Sequence, residues 1–271
     1  MEKNMRYILI MILMLVFMWM ANCSSLSMGN REIIISIACS ILAPILAFFI
    51  DAVLSNLNTL SLWWASVFKY RNKEVRVSMA YLYRIQINGK FLLVKNSKYD
   101  LYQPVGGVYK VLSNDLGSLI EQFRWRKDNK YPDTDEKRCD LRGIIPSTKL
   151  IAFLRWYKSQ KQRETSPWRE FYEELIRKNV LRIEDFPFFE YRYLRTITTP
   201  IQRKTNGNLE YYSFDIIDFI ATPAQEKILI DTQRVESDYF KWVDEPTISN
   251  DGRMRNGKVI PLGDHTKWII K

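Results

Sequence analysis

Glu170, Glu173 and Glu174 sit within SPWREFYEELI, residues 166–176, three and four positions apart. On a helix this spacing collects all three carboxylates on one side. Carboxylates gathered in that way can hold a divalent cation against a pyrophosphate, where the metal acts as a Lewis acid and activates water. The same side chains also suit an ordinary wet helix face, because Arg177 and Lys178 each follow a glutamate by four positions. Upstream, Gly106-Gly107 interrupts an extended run and fits either a plain turn or part of the same site.

A second set of candidates is basic. Arg138, Arg142, Lys149, Arg155 and Arg163 alternate with apolar and aromatic residues, Trp156 and Tyr157 among them. Guanidinium forks match phosphate oxygens, and aromatic rings stack on bases. Charges in this pattern can equally coat a helix or meet anionic lipid. Three cysteines and the single His265 show no spacing of a metal motif. The lone Cys139 outside the apolar N-terminal part fits a reducing compartment.

Helices and strands must bring these residues together. Ser166 can cap a helix with Pro167 at its first position, and Trp168, Phe171, Tyr172 and Leu175 give it an apolar stripe. Further helices are expected at 115–126 and 148–163. Strand patterns cover 77–87 and 90–96 around Asn88-Gly89, a strong hairpin signal. Others cover 100–111, 189–203, 208–222 and 239–243. Strand hairpins around one strongly amphipathic helix indicate an α+β or α/β/α sandwich.

The N-terminal part is of another kind. Residues 7–21 and 33–50 carry no charge, which predicts two membrane spans at about 7–27 and 32–50, a hairpin over 1–51. Lys3 and Arg6 ahead of an apolar run also describe a signal peptide, but a second apolar run follows only eleven residues later. Basic flanks at Lys3, Arg6, Lys69, Arg71, Lys73 and Arg76 place both termini in the cytoplasm. Residues 52–73, with Trp63-Trp64, read as an interfacial or stalk helix and linker. Residues 1–71 hold only five of the 40 basic and three of the 30 acidic residues, so the remainder carries a net +8.

QPVGGVYK, REFYEEL, the flanking strand pairs and a terminal KWV strand together resemble the Nudix fold. Gly107 matches the glycine that opens the Nudix box, and Arg169, Glu170, Phe171, Glu173 and Glu174 match its second half in order. Ser113 stands where the box has a glutamate, Ile176 where it has a later glycine, and 55 residues separate Ser113 from Arg169 in place of seven. The layout as a whole resembles the membrane effectors of the bacterial cyclic-oligonucleotide anti-phage systems (CBASS), with two transmembrane helices and a SMODS-associated, diverged Nudix domain.

That resemblance implies a Nudix-like sensor domain over 74–271, with a helical insertion at about 114–166. It implies a cyclic oligonucleotide ligand, a CD-NTase nucleotidyltransferase as functional partner, and oligomerisation in the inner membrane on activation. The ligand residues expected are Gly106, Gly107, Arg138, Arg142, Lys149, Arg155 and Arg169, with no cofactor required. The alternative is a membrane-tethered Nudix hydrolase of a nucleoside diphosphate derivative, using Mg²⁺ on Glu170, Glu173 and Glu174.

Overall fold

The computed structural model describes Trp19 and residues 28–128, 139–204 and 207–270. The chain divides into two units, Met1–Trp64 and Ala65–Lys271. In the first, α1 spans Met28–Ser55 and α2 Leu57–Trp64. Between them Asn56 turns its Nδ2 onto the Ala52 carbonyl, 2.7 Å away. Within α1, the 21 residues Ile35–Ser55 have a mean hydropathy of 2.4, none of them buried, and are long and apolar enough to cross a membrane. This is the single such helix among the described residues. It carries the second expected span and runs past it. The span expected at 7–27 lies, Trp19 apart, outside the described residues, so a two-helix hairpin is not part of the described structure.

The second unit is a sandwich of two sheets. Its strands are β1 (Glu74–Arg84), β2 (Gln86–Ile87), β3 (Lys90–Lys95), β4 (Tyr102–Pro104) and β5 (Gly106–Val108). α3 (Leu116–Phe123), β6 (Arg126–Lys127), β7 (Arg142–Pro146), α4 (Leu150–Lys158) and α5 (Trp168–Phe171) follow. The chain then runs through β8 (Glu190–Thr198), β9 (Gln202–Arg203), β10 (Leu209–Ile220), α6 (Pro223–Thr232), β11 (Phe240–Asp244) and α7 (Glu245–Ser249). The larger sheet has the order β6-β7-β1-β10-β8, with β5 also on β1 and β9 on β10. β1 and β10 run parallel, with Tyr81 beside Asp215. The smaller sheet has the order β11-β3-β2, with β4 on β3.

β1 is buried along nearly its whole length because both of its faces are covered. On one face Leu82 and Ile216 pack with Phe91, Leu93 and Val243 of the small sheet. On the other, Tyr83 and Phe219 meet Phe171 of α5, with ring centroids 6.0 and 5.5 Å apart. The hairpin expected over 77–87 and 90–96 is confined to β2 and β3, although Asn88 and Gly89 take the positive φ it needs, 51° and 73°. β1 itself belongs to the other sheet, and the chain changes sheets at Ile85.

The insertion is not purely helical. Leu141, Gly143 and Ile145 are buried at alternating positions, a period of two that β7 satisfies by adding to the main sheet beside β1. Gly143 lets the Trp125 ring close over the strand, since a Cβ there would lie 2.4 Å from its Cζ2. Trp125 in turn stacks on Phe153 of α4 at 5.6 Å, and the insertion acquires an aromatic core of its own. α4 stops at Lys158, short of the expected 163, where Gln160 and Gln162 adopt positive φ.

Candidate active site

The two halves of the motif, 55 residues apart in sequence, are in direct contact. Gly106 N donates to Glu174 Oε2 at 2.9 Å. Gly107 faces Glu170 so closely that a Cβ would fall 2.0 Å from Glu170 Oε1. Gly106 has φ +152°, and a Cβ there would lie 2.2 Å from the Tyr81 carbonyl oxygen. Close approach to the backbone of β1 therefore requires a glycine at 106, while a Cβ at 107 would push the Glu170 carboxylate aside. Ser166 does not cap through a regular first turn, but its Oγ accepts from Trp168 N at 3.3 Å.

After Phe171 the helix widens into a π-turn over Tyr172–Ile176. Such turns displace the side chains that follow, and here Glu174 points inward at Gly106 instead of pairing outward. Burial, with Glu170 as a second charge close by, pushes the Glu174 carboxyl well above the usual carboxylate range, and the Gly106 hydrogen bond only partly opposes this. Burial likewise raises Glu170, against the pull of Arg169.

Arg169 occupies the centre of this cluster. Its Nη1 donates to Glu170 Oε1 at 2.5 Å and lies 3.6 Å from Glu173 Oε1. Nη2 donates to the Val108 carbonyl at 2.8 Å. Nε and Nη2 donate to the two oxygens of Glu164 at 3.1 and 3.2 Å. A guanidinium held by three carboxylates and a carbonyl fills the position where a cation would draw those carboxylates together. Among the described residues no three His, Cys, Asp or Glu side chains are grouped to hold a metal. As arranged, with Glu170 on Arg169 and Glu174 on Gly106, the donor set does not fit Mg²⁺.

Glu164 was not among the residues singled out from the sequence. Counting forward from Gly107 leads to Ser113, which is exposed and opens a 3-10 turn at Ser113–Asp115. Counting back from Arg169, the first acidic residue met is Glu164, near the end of the insertion, and this carboxylate serves Arg169 while also accepting from Lys110 N at 3.3 Å. Asp215 is a further polar centre the sequence did not mark. It accepts from Tyr109 at 2.9 Å, Tyr157 at 3.2 Å and Thr196 at 2.6 Å. Burial and the Asp215 charge push both tyrosine hydroxyls upward, which keeps them protonated as donors.

The basic candidates are dispersed. Arg142 lies on β7 opposite Ser78, on the other face of the sheet from Gly107. Lys149 precedes α4 and Arg155 is exposed on it. Arg138 lies outside the described residues. Arg163, 6 % exposed, lays its guanidinium over the Tyr157 and Tyr109 rings, 4.0 and 4.8 Å from their centroids.

A mixed sheet, a small second sheet and a glycine pair seated on a glutamate helix define a Nudix-like domain. A family model described as the SMODS-associated NUDIX domain matches residues 74–270, and the chain belongs to that family. Membership links it to CBASS and its CD-NTase nucleotidyltransferases. No curated protein matches the chain.

Proposed function

We propose that this chain is a membrane effector of a CBASS system, whose Nudix-like domain binds a cyclic oligonucleotide second messenger without cleaving it. The observation that carries this reading is the internal use of the box: Arg169 and the Gly106 N–H consume the carboxylates that hydrolysis would need free. A sensor must keep its ligand intact, and a net charge of +10 suits a ligand of several phosphates. The apolar helix α1 supports a place in the bilayer. In this reading two spans, at 7–27 and 32–50, leave both termini in the cytoplasm of the inner membrane, and ligand-driven assembly of the chains breaches it.

Calorimetry on the full chain in detergent micelles, against 3′,3′-linked cyclic di- and trinucleotides, tests the binding. Heat of binding is expected, with the nucleotide recovered unchanged by chromatography. Absence of heat across the panel rejects the sensor. Mg²⁺-dependent phosphate release from nucleoside diphosphate derivatives, lost in Glu173→Gln, would replace it with a tethered hydrolase.

A further inference from the structure

The insertion is not hung from a loose stem. Where it leaves the core, doubles back and ends, three segments lie side by side. Val111 N donates to the Cys139 carbonyl at 2.8 Å, Leu112 N to that of Gln162 at 2.9 Å, and Glu164 N to that of Lys110 at 2.7 Å. On this waist opens a cleft of about 510 Å³, whose polar lining is Lys110, Arg163, Ser113, Thr165, Ser166 and the Cys139 thiol. Its one carboxylate among the described residues, Glu164, is turned to Arg169 and to Lys110 N.

Arg163 is the built part of this site. Its guanidinium is fixed by two rings, and Nε and Nη1 donate to the Tyr157 and Glu164 carbonyls at 2.8 and 2.7 Å. Nη2 has no hydrogen-bond partner among the described residues, on a side chain that is 6 % exposed and lines the cleft. A donor that opens on the cleft and has no protein partner can give its hydrogen bond to a ligand's acceptor in place of water. The Arg163 donor and three hydroxyls, with Lys110 also in the lining, match the oxygens of a phosphate ester. The volume lies in the range of small-molecule sites, roughly 300–1,000 Å³, enough for one nucleotidyl unit with the rest of a larger ring standing outside.

We propose that the waist cleft, rather than the glutamate helix, receives a phosphodiester of the second messenger. This rests on the nucleotide-binding reading above. A phosphate held by Lys110, Arg163 and Thr165 would bridge the first and last segments of the insertion, with Cys139 of the middle segment beside it. The Glu164–Arg169 contact would then join the occupied cleft to the box.

The test uses the full chain with Cys23→Ser and Cys39→Ser in micelles, so that maleimide reports Cys139 alone. A cyclic nucleotide that gives heat of binding is expected to slow alkylation of Cys139 at least fivefold, and Lys110→Met or Thr165→Val to raise its Kd at least tenfold. Binding with an unchanged alkylation rate and unchanged Kd in both variants overturns the cleft while leaving the sensor reading intact. No binding by any nucleotide overturns both. Equal protection by inorganic phosphate, or by phosphatidylglycerol micelles without nucleotide, overturns the nucleotide assignment in favour of a general anion or headgroup site. Should Lys110→Met unfold, Thr165→Val, at an exposed position, still decides.

Discussion

Gly106-Gly107 and the waist that starts at Lys110 are almost neighbours in sequence, yet they are built to opposite ends. Around the glycines there is no room for a methyl group, and the nearby Glu174, Glu170 and Arg169 already have partners inside the protein. At the waist a cleft of about 510 Å³ lies open, lined by hydroxyls and cations. The first region carries the recognisable motif and the second departs from it at Ser113. The contrast teaches that a motif can persist as a structural joint. In this chain its residues hold the sheet, the helix and the insertion together, while the cleft proposed for a ligand lies where the motif was interrupted.

The sharpest break of the joint is Gly106→Ala. The new Cβ would meet the Tyr81 carbonyl oxygen, which β1 fixes, at a φ of +152° that L side chains avoid. Backbone strain and overpacking together put the cost at about 4 kcal/mol, a fall of about 10 °C in Tm by scanning calorimetry. Gly107→Ala should cost less, because the obstacle is the mobile end of Glu170, though moving it disturbs the Arg169 contact. Equal effects at the two positions would mean that the carboxylate is as firmly fixed as the backbone.

Arg169→Met tests whether the joint and the waist are one network. It leaves Glu164 and Glu170 without their guanidinium, at a cost of about 2–3 kcal/mol, below the 3–5 of a fully buried pair because the side chain is 22 % exposed. Glu164→Gln alone should cost about 1 kcal/mol. The double variant, measured by urea unfolding, should lose about 1 kcal/mol less than the two single changes combined, since each removes the same contact. Strict additivity would separate the waist from the box and undo the comparison.

The sequence showed the glycines, the glutamate helix, the Asn88-Gly89 turn and most strands, because each rests on local spacing or backbone freedom. It did not show what depends on returning chain. Glu164 was hidden because an insertion makes counting along the motif meaningless, while the Arg169 guanidinium ignores sequence distance. β7 was read only as part of a basic helical insertion, although Leu141, Gly143 and Ile145 alternate as a strand does. The π-turn at 172–176 has no local signal, since Glu174 is drawn inward by Gly106. One miss was legible: Thr222, Pro223 and Gln225 form a capping box, with Pro at the first turn, for the unforeseen helix α6.

The smallest effect concerns Glu174 and has the opposite sign. Its carboxyl is raised above the value of 4.5 that it has in an unfolded chain. Between 4.5 and the folded value the native protein holds a proton that the unfolded chain releases, so stability falls as pH rises through that window. At neutral pH the buried carboxylate is thus a cost to the joint. Glu174→Gln keeps an oxygen to accept from Gly106 N and removes the charge. At pH 7 it should raise Tm by about 2–4 °C, the equivalent of roughly 1 kcal/mol for a unit of this size. The gain should shrink as pH is lowered through 4.5, because below it the wild-type carboxyl becomes neutral in both states. A loss of stability at pH 7 would mean that this carboxylate is held charged by a partner the joint lacks, and the box would then be a cation site after all.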